Sequence, residues 1–235
     1  SDAKAVLMSS VWHWKNAVRT ETAAMALGTA VHDLSLEGGM NTIRGPESRR
    51  GNEWKEAESN ANAQGALLLP AKEYDLAQDI AAALLADPAC AKQLQCDDGK
   101  KEYSLFATCP QTGLELRCRP DLYNPHDYVM SDVKTTTDAS PVGFYKFRYD
   151  AQAAFYKYVA ELCGWKVTHF AFLAVENKAP HAAHMHVMGM DAMEQGHKDM
   201  MRALELIAAA KEKNDYSLDW GRFTMVHPPS WMTTE

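Results

Sequence analysis

The feature that most constrains the fold is a change of periodicity near the middle of the chain. Residues 103–109, 114–123 and 128–135 alternate apolar and polar side chains, and short turn sequences separate them. This pattern predicts a three-stranded antiparallel meander. A long helical segment at 141–163 and a β-branched, aromatic strand at 167–175 follow. The order helix, three strands, helix, strand predicts an α/β (α+β) fold.

Helical periodicity accounts for most of the remaining chain. The predicted helices span residues 6–19, 22–37, 70–86 and 191–213, with a shorter one after Pro88, and a further strand spans 183–190. Residues 47–62 form a polar, charged segment, and an irregular tail follows the last helix. Neither a repeat nor a Pro/Ser-rich linker interrupts the 235 residues, so we expect a single domain over residues 1–235.

Charge and cysteine content limit the classes of function. The net charge of −7 argues against a surface coated in DNA-binding cations, but it does not exclude a local positive track within a cleft. The five cysteines are odd in number and form no CxxC pair, which favours reduced thiols. No signal peptide opens the chain and no apolar run is long enough for a bilayer. We therefore expect a cytoplasmic protein with no membrane contact.

Two short polar motifs lie on neighbouring predicted strands. Arg119-Pro120-Asp121 and Asp132-Val133-Lys134 are about ten residues apart, and a tight hairpin would bring the two carboxylates together. Converging carboxylates repel unless a cation lies between them, and their hard oxygens suit Mg²⁺ or Mn²⁺. The carbonyl of Val133 is a further candidate ligand, and Lys134 could orient a water or stabilise charge on a phosphate. The structural alternative is a pair of solvated acidic residues at strand ends, because D-x-K is a common tripeptide.

Two predicted helices carry polar groups of matching chemistry. Gly28 and His32 share a face of the second helix, so the glycine leaves room beside an imidazole that could meet a metal or a phosphate. Arg148, Gln152 and Tyr156 form one stripe on the long helix, and such groups suit a phosphate or water network. The alternatives are a hydrogen-bonded helix histidine and an amphipathic helix with a polar flank.

Taken together, the motifs form a recognised pattern. GxxxH, PD, DxK and QxxxY, in this order on helix, strand, strand and helix, resemble the RecB-type branch of the PD-(D/E)XK nucleases. GTAVH, RPD, DVKTT and FRYDAQAAFY resemble segments of the RecE-like phage exonucleases, relatives of exodeoxyribonuclease VIII and lambda exonuclease, and SSVWHWK and HPPSWM resemble their ends. The resemblance covers most of the chain. It implies a restriction-endonuclease-like core with a mixed central sheet flanked by helices.

The resemblance also assigns roles to the motif residues. It implies that Asp121 and Asp132 bind metal and that Lys134 is catalytic. His32 lies at the position of the motif histidine that is found at the metal in RecB-type nucleases. Gln152 and Tyr156 match the helix motif that supports the metal site in these relatives. Glu102 falls where relatives often place a further acidic residue, although a neighbouring acidic position would serve equally well.

Phosphate contacts are assigned less directly. Arg119 and Arg148 are candidates because of the side of the strand and helix on which they lie. Ser9, Ser10 and Lys15, in the amino-terminal segment, are candidate ligands of a terminal 5′ phosphate. A second candidate metal site, His181, His184 and His186, lacks an obvious fourth ligand, and a polar strand edge is the preferred interpretation.

The implied activity is a Mg²⁺-dependent exodeoxyribonuclease, with Mn²⁺ as a substitute, that degrades linear duplex DNA from its ends, 5′ to 3′. The resemblance further implies a trimeric or tetrameric ring and a partner single-strand annealing protein in phage-type recombination. No cysteine follows Cys163, so we expect no iron–sulfur cluster. The alternatives are an endonuclease or single-strand nuclease of the same fold in repair or defence, and a catalytically inactive DNA-binding protein.

Overall fold

The protein is built around a five-stranded mixed sheet with helices on both faces. The structure is a computed structural model and describes residues 2–18, 20–141 and 147–218. The α-helices of these residues are α1 (Asp2–Met8), α2 (Val11–Asn16), α3 (Ala23–His32), α4 (Asn52–Gln64), α5 (Ala71–Ala86), α6 (Pro88–Leu94), α7 (Tyr149–Leu162) and α8 (Met190–Lys213). The strands are β1 (Thr42–Arg44), β2 (Leu67–Leu69), β3 (Lys100–Lys101), β4 (Leu105–Thr108), β5 (Glu115–Cys118), β6 (Leu122–Asn124), β7 (Val129–Thr136), β8 (His169–Glu176) and β9 (Ala183–Val187).

The strand order in the main sheet is β3-β6-β7-β8-β9. β7 and β8 pair in parallel over eight residues, whereas the other neighbours are antiparallel. A parallel pair in the middle of a sheet is covered on both faces, which explains why β8 is almost continuously apolar. The predicted mixed sheet flanked by helices is therefore confirmed.

The core has one part on each face of the sheet. On one face Phe170 and Phe172 pack against α7 and α8, and both phenylalanines are fully buried. On the other face Leu173 and Val175 pack with α3 and α5. Because alternate residues of β8 point to opposite faces, a single strand joins both parts of the core.

The prediction of one continuous meander is wrong. The predicted strand 114–123 is divided at residues 119–121: β5 pairs with β4 in a separate two-stranded sheet, and β6 joins the main sheet. Pro120 explains the division, because proline has no N–H to donate to a strand ladder and restricts the residue before it. The break frees the motif residues around Pro120 from strand pairing.

Several helix boundaries also differ from the prediction. The first predicted helix is two helices, because Ser10 caps α2 and interrupts the run, and Arg19 lies outside the described residues. The charged segment 47–62 contains most of α4, and the parallel pair β1–β2 was not predicted. α7 begins only at Tyr149, after Arg148 in the left-handed conformation; residues 142–146 and the tail from 219 lie outside the described residues.

The second predicted helix changes type near its end. α3 ends at His32, and Asp33–Glu37 continue as a π-helical turn that stops at Gly38 with φ of 73°. Such turns are rare in proteins as a whole, and those that occur are often at functional sites. Among the described residues, no helix combines the length and the apolar character that crossing a bilayer requires.

Candidate active site

The β6–β7 hairpin brings the two acidic motifs face to face. Leu122 pairs with Ser131 in the antiparallel register, so extending this register by one residue places Asp121 opposite Asp132. The link is also direct, because Asp121 Oδ2 accepts a hydrogen bond from the backbone N–H of Val133 at 2.7 Å. The N–H and C=O of one strand residue point to the same side, so the Val133 carbonyl faces the edge that Asp121 occupies.

Asp132 is more deeply buried than Asp121 and Lys134, the other two charged residues of the PD and DxK motifs. Its side chain is 4% exposed; Oδ1 accepts a hydrogen bond from Gln152 Nε2 at 2.9 Å, and Oδ2 forms an ion pair with Lys134. Burial, and then the negative charge of Asp121, raise the pKa of Asp132 to about 6, although Lys134 opposes the shift. A cation between the two carboxylates would remove this cost of charging Asp132.

His32 lies between two further carboxylates. Its Nε2 is 3.0 Å from Asp121 Oδ1, and its Nδ1 is 3.2 Å from Glu102 Oε1. Burial lowers the pKa of His32, but the hydrogen bond to Asp121 and the nearby carboxylates outweigh burial and raise it. The ligand atoms of these three residues lie within 4.8 Å of one another. Imidazole and carboxylate groups this close together fit a divalent cation.

Glu102, which the sequence left interchangeable with its neighbours, is part of the site. Its backbone N–H donates to the carbonyl of Asp121 at 3.0 Å, and its φ of 50° is the left-handed conformation. A non-glycine residue in this region stores strain and is typical of functional sites. Arg119, at the exposed rim, pairs with Glu102 at 3.1 Å.

These side chains line one open cavity of about 500 Å³. Gly28 forms part of its wall, and a Cβ added there would meet no atom within 4 Å. The prediction that Gly28 leaves room beside His32 therefore agrees with the geometry. Gln152 and Tyr156, one helical turn apart on α7, complete the opposite wall, and burial raises the pKa of Tyr156 well above its usual value.

Four polar residues of the cavity wall were not predicted, and the first of them is Thr29 of α3. The π-helical turn contributes Asp33 and Glu37, and Asn41 follows it. The Asn41 backbone N–H donates to the Asp33 carboxylate at 3.1 Å, and the Asn41 amide donates to Glu37 at 2.5 Å. The sequence signal was the two acidic residues at the ends of Asp33–Glu37, which follows His32 directly, but helical periodicity alone places Asp33 away from the face of His32.

Arg148 lies outside the cavity wall. Its guanidinium donates to Asp150 through Nε at 3.1 Å and through Nη2 at 3.0 Å, and it also pairs with Asp199 of α8. Two carboxylates therefore neutralise its charge, and the contact ties the start of α7 to α8. The predicted stripe with Gln152 and Tyr156 fails at this position, because Arg148 precedes the helix with φ of 51°.

The amino-terminal candidates also lie away from the cavity wall. The Ser9 hydroxyl donates to the Ala5 carbonyl at 2.8 Å, and the Ser10 hydroxyl caps α2 by accepting from the His13 N–H at 3.2 Å. Lys15 lies over the ring of Tyr216, 4.7 Å from its centre. Their role in binding a 5′ phosphate stays a prediction.

The histidines near β9 do not converge. The rings of His184 and His186 meet edge to face with their centres 4.7 Å apart, and His186 Nε2 lies 2.7 Å from the Ala139 carbonyl oxygen. Within the described ranges, the group of His, Cys, Asp and Glu side chains close enough to hold a metal is His32, Glu102 and Asp121. The interpretation of a polar strand edge agrees with these contacts.

A mixed sheet with PD just before one strand, DxK on the strand paired with it and QxxxY on the covering helix is the pattern of the PD-(D/E)XK class. Residues 3–221 match the family described as "PDDEXK-like domain of unknown function" (DUF3799), and the chain belongs to this family. The predicted restriction-endonuclease-like fold is thereby confirmed. Family membership and the residues of the cavity support a nuclease.

A solved structure has a similar fold. The crystal structure of a candidate exonuclease from Eubacterium rectale superposes with a TM-score of 0.58 at 15% identity, over 93% of this chain and 81% of the other. The crystal structure of SSO0001 gives a TM-score of 0.34 at 11% identity, over 80% and 88% of the two chains. A comparison with curated proteins gives no match.

Proposed function

We propose that the protein is a divalent-metal-dependent exodeoxyribonuclease that degrades linear double-stranded DNA from its ends, 5′ to 3′. The observation that carries the proposal is the junction of Asp121, Asp132 and Lys134 in one cavity, fixed by the hydrogen bond from the Val133 N–H to Asp121. Exonuclease action is supported by the RecE-like motifs and by the description of the Eubacterium rectale protein.

The donor set suits Mg²⁺, with Mn²⁺ as a substitute. Asp121, Asp132, the Val133 carbonyl and His32 would hold the ion, and Glu102 is close enough to His32 and Asp121 to share a cation with these two residues. When bound, such an ion polarises a phosphoryl oxygen and lowers the pKa of a water. The raised pKa of Asp132 supports this assignment, because a bound cation would offset the free-energy cost of ionising this buried carboxyl group.

Lys134 has the position of an electrostatic stabiliser. Burial lowers its pKa, but Asp132 and Asp121 outweigh burial and raise it, so the ammonium stays charged at neutral pH. A fixed positive charge in a buried site stabilises the negative charge that develops on a phosphate under attack. Gln152 holds Asp132 through its amide, so α7 fixes the orientation of the carboxylate that Lys134 contacts.

Assembly and partners complete the proposal. A trimeric or tetrameric ring would gather Lys and Arg side chains of an acidic chain around threaded DNA, which reconciles the net charge of −7 with a DNA substrate. The single strand left by digestion would pass to an annealing protein in recombination. Light scattering after size exclusion measures the oligomer, and duplexes labelled on one strand measure polarity.

The deciding experiment is digestion of a linear duplex, a nicked circle and a closed circle, with Mg²⁺ or with EDTA. Wild type and Lys134→Met are compared, because methionine keeps most of the length of the side chain and removes the charge. We expect loss of the linear duplex alone, only with metal and only with the lysine. Cleavage of closed circles would establish an endonuclease instead, and no cleavage under any condition would overturn nuclease function.

A further inference from the structure

The strand pairs β3–β6 and β4–β5 belong to one long two-stranded ribbon. Lys101 pairs with Leu122 in the main sheet, and Leu105 pairs with Cys118 in the smaller sheet. Each strand advances by the same number of residues between these two pairs, so the register of the ribbon does not change. We call the part of the ribbon that lies outside the main sheet, residues 105–118, the outer arm.

The outer arm begins at the rim of the cavity. Between the two strand pairs, the Glu102 N–H donates to the Asp121 carbonyl at 3.0 Å, which agrees with the shared register. The ribbon bends here, because Glu102 has a left-handed backbone and Pro120 interrupts the strand ladder. Glu102, Asp121 and Arg119 all line the cavity. A polymer bound in the cavity could therefore continue along the outer arm.

The outer arm has one buried face and one exposed face. Leu105, Leu116 and Cys118 belong to the core that α7 and α8 share. Alternate residues of a strand point to opposite faces, so Phe106 and Arg117 lie on the outer face, where they are directly opposite each other. Phe106 is 67% exposed, and Arg117 is exposed as well.

The outer face is positively charged at the end nearest the cavity. Arg119 lies at the rim, Arg117 lies two residues farther out, and the acidic Glu115 lies beyond both. Within the described ranges, no ion pair involves Arg117, so its guanidinium is available to an anion. Arg117 also borders a groove towards Lys211 of α8, which adds another cation on this side of β5.

The Phe106 ring projects from a backbone that is held in place. The Phe106 carbonyl accepts a hydrogen bond from Cys163 Sγ at 3.3 Å, which joins β4 to the end of α7. Tyr103, another exposed aromatic residue of the ribbon, packs on Trp165 with ring centres 5.4 Å apart, whereas no ring contact among the described residues involves Phe106. A free aromatic ring beside arginine suits an unpaired nucleic-acid strand, because a base stacks on the ring while the guanidinium neutralises a phosphate.

We propose that the outer arm binds the unpaired end of the DNA strand that is cut, with Phe106 stacked on one base and Arg117 at the phosphate beside it. This inference rests on the proposed nuclease function and names a surface that guides its substrate. Inside a duplex both faces of a base are covered by its neighbours, so an unpaired base is the one that presents a free face to Phe106. Arg117 and Arg119 are about 7 Å apart along the strand, so an extended strand could contact both on its way to the cavity.

The test couples the Phe106 ring to one base of the DNA. Fluorescence anisotropy in Ca²⁺ measures binding of a labelled duplex with a short unpaired 5′ end, and a gel after each titration verifies that the DNA is intact. A series of such duplexes lacks the base at one unpaired nucleotide after another. Each dissociation constant is measured over a range of salt concentrations, and digestion in Mg²⁺ is measured for the same proteins.

The variants separate the ring from its bulk and the charge from its place. Phe106→Leu keeps apolar bulk without the ring, and Phe106→Tyr keeps the ring. Arg117→Gln removes the charge. Arg50→Gln is the matched control, because Arg50 is an exposed arginine before α4 that lies outside the cavity wall. Melting temperatures verify that every variant is folded.

For Phe106→Leu we expect binding of the duplex with an unpaired end about 10-fold weaker than for wild type, the order of one base stacked on an aromatic ring. At one position, loss of the base weakens wild type by a similar factor and changes Phe106→Leu by less than about 2-fold, because the two losses remove the same contact. Phe106→Tyr matches wild type. Arg117→Gln lowers the salt slope by about 0.7, the value for one phosphate of a single strand, and Arg50→Gln leaves the slope unchanged.

Four results would overturn the proposal. If loss of a base weakens wild type and Phe106→Leu equally at every position, Phe106 stacks on no base. An unchanged salt slope for Arg117→Gln would mean that Arg117 touches no phosphate. A smaller oligomer for Phe106→Leu in light scattering would make the outer arm an interface between copies of this chain. Failure of wild type both to bind and to cut DNA would remove the proposed function and the outer arm with it, whereas binding and cutting that are unaffected in all variants remove only the outer arm.

Discussion

Two helical glycines have opposite surroundings, and substitution of each by alanine tests the structure and the function together. Gly28 in α3 faces the cavity, and an added Cβ would meet no atom within 4 Å. Gly196 in α8 packs on the backbone of α7, and an added Cβ would lie 2.4 Å from the carbonyl oxygen of Asp150 and 3.0 Å from the nitrogen of Ala151. The same chemical change is therefore permitted at one position and obstructed at the other.

The magnitudes follow from helix propensity and packing. Alanine in a helix interior is favoured over glycine by roughly 1 kcal/mol, so Gly28→Ala should raise the free energy of unfolding by about that amount. Gly196→Ala gains the same propensity, but a clash with backbone atoms costs about 3 kcal/mol, the upper end of overpacking, so the net loss is about 2 kcal/mol. For a chain of this size these changes correspond to melting temperatures about 2–4 °C higher and about 4–8 °C lower.

Urea denaturation followed by circular dichroism measures both changes, with the slope of the transition verified to be that of wild type. Ala209→Gly, at an exposed position of α8, reports the propensity alone and should cost about 1 kcal/mol. Gly28→Ala should also lower nuclease activity despite its higher stability, because the methyl group enters the cavity beside His32. A neutral or stabilising Gly196→Ala would refute the close approach of α7 and α8, and a destabilising Gly28→Ala would refute the open wall.

Other predictions concern the proposed metal ligands and the residues of α7 near them. Gln152→Met should lower metal affinity or activity 10- to 100-fold, measured by Mg²⁺ titration, because Asp132 loses the amide that orients it; an unchanged Mg²⁺ midpoint would exclude this role. Arg148→Ala should lower the free energy of unfolding and kcat while the salt dependence of DNA binding changes little, and Arg148→Lys should recover part of both losses. A lower salt slope for Arg148→Ala than for wild type would instead indicate that Arg148 contacts a phosphate. The pKa of Asp132 is raised to about 6 and that of His32 is raised, so the stability that each gives the metal-free protein is present at low pH and is lost as pH rises through the folded pKa. The increase in melting temperature on adding Mg²⁺ should therefore be larger at pH 7.5 than at pH 5.5, since the bound ion needs both groups deprotonated; an equal increase at both pH values would contradict the ligand set.

The position of Glu102 shows why the site could be only partly predicted. Its contacts are with His32, seventy residues earlier, and with Arg119 and Asp121, which lie in the segment between β5 and β6 that belongs to no strand. No periodicity links these positions, so the sequence offered several acidic residues of equal merit. The left-handed backbone at Glu102 and the break at Pro120 decide the choice, because together they turn this one carboxylate into the cavity.

Arg148 shows the converse case. Its spacing from Gln152 and Tyr156 is helical, and from spacing alone a guanidinium on that stripe favours a phosphate contact. The prediction had no means of including Asp199, fifty-one residues later, whose carboxylate pairs with this arginine. A charge with two close partners acts as a structural tie, and only the packing of α8 on α7 brings the second partner into contact.

The sequence by itself determined which residues share a face of a single strand or helix. A period of two residues places Asp132 and Lys134 on one face of β7, and a helical period places Gln152 and Tyr156 one turn apart on α7. The tertiary structure decided which of these faces meet: the register of β6 on β7 sets Asp121 against Asp132, and the register of β4 on β5 sets Phe106 against Arg117. The physical reason is that periodicity fixes the direction of a side chain relative to its own backbone, whereas the partner it meets depends on how the apolar faces of distant elements pack.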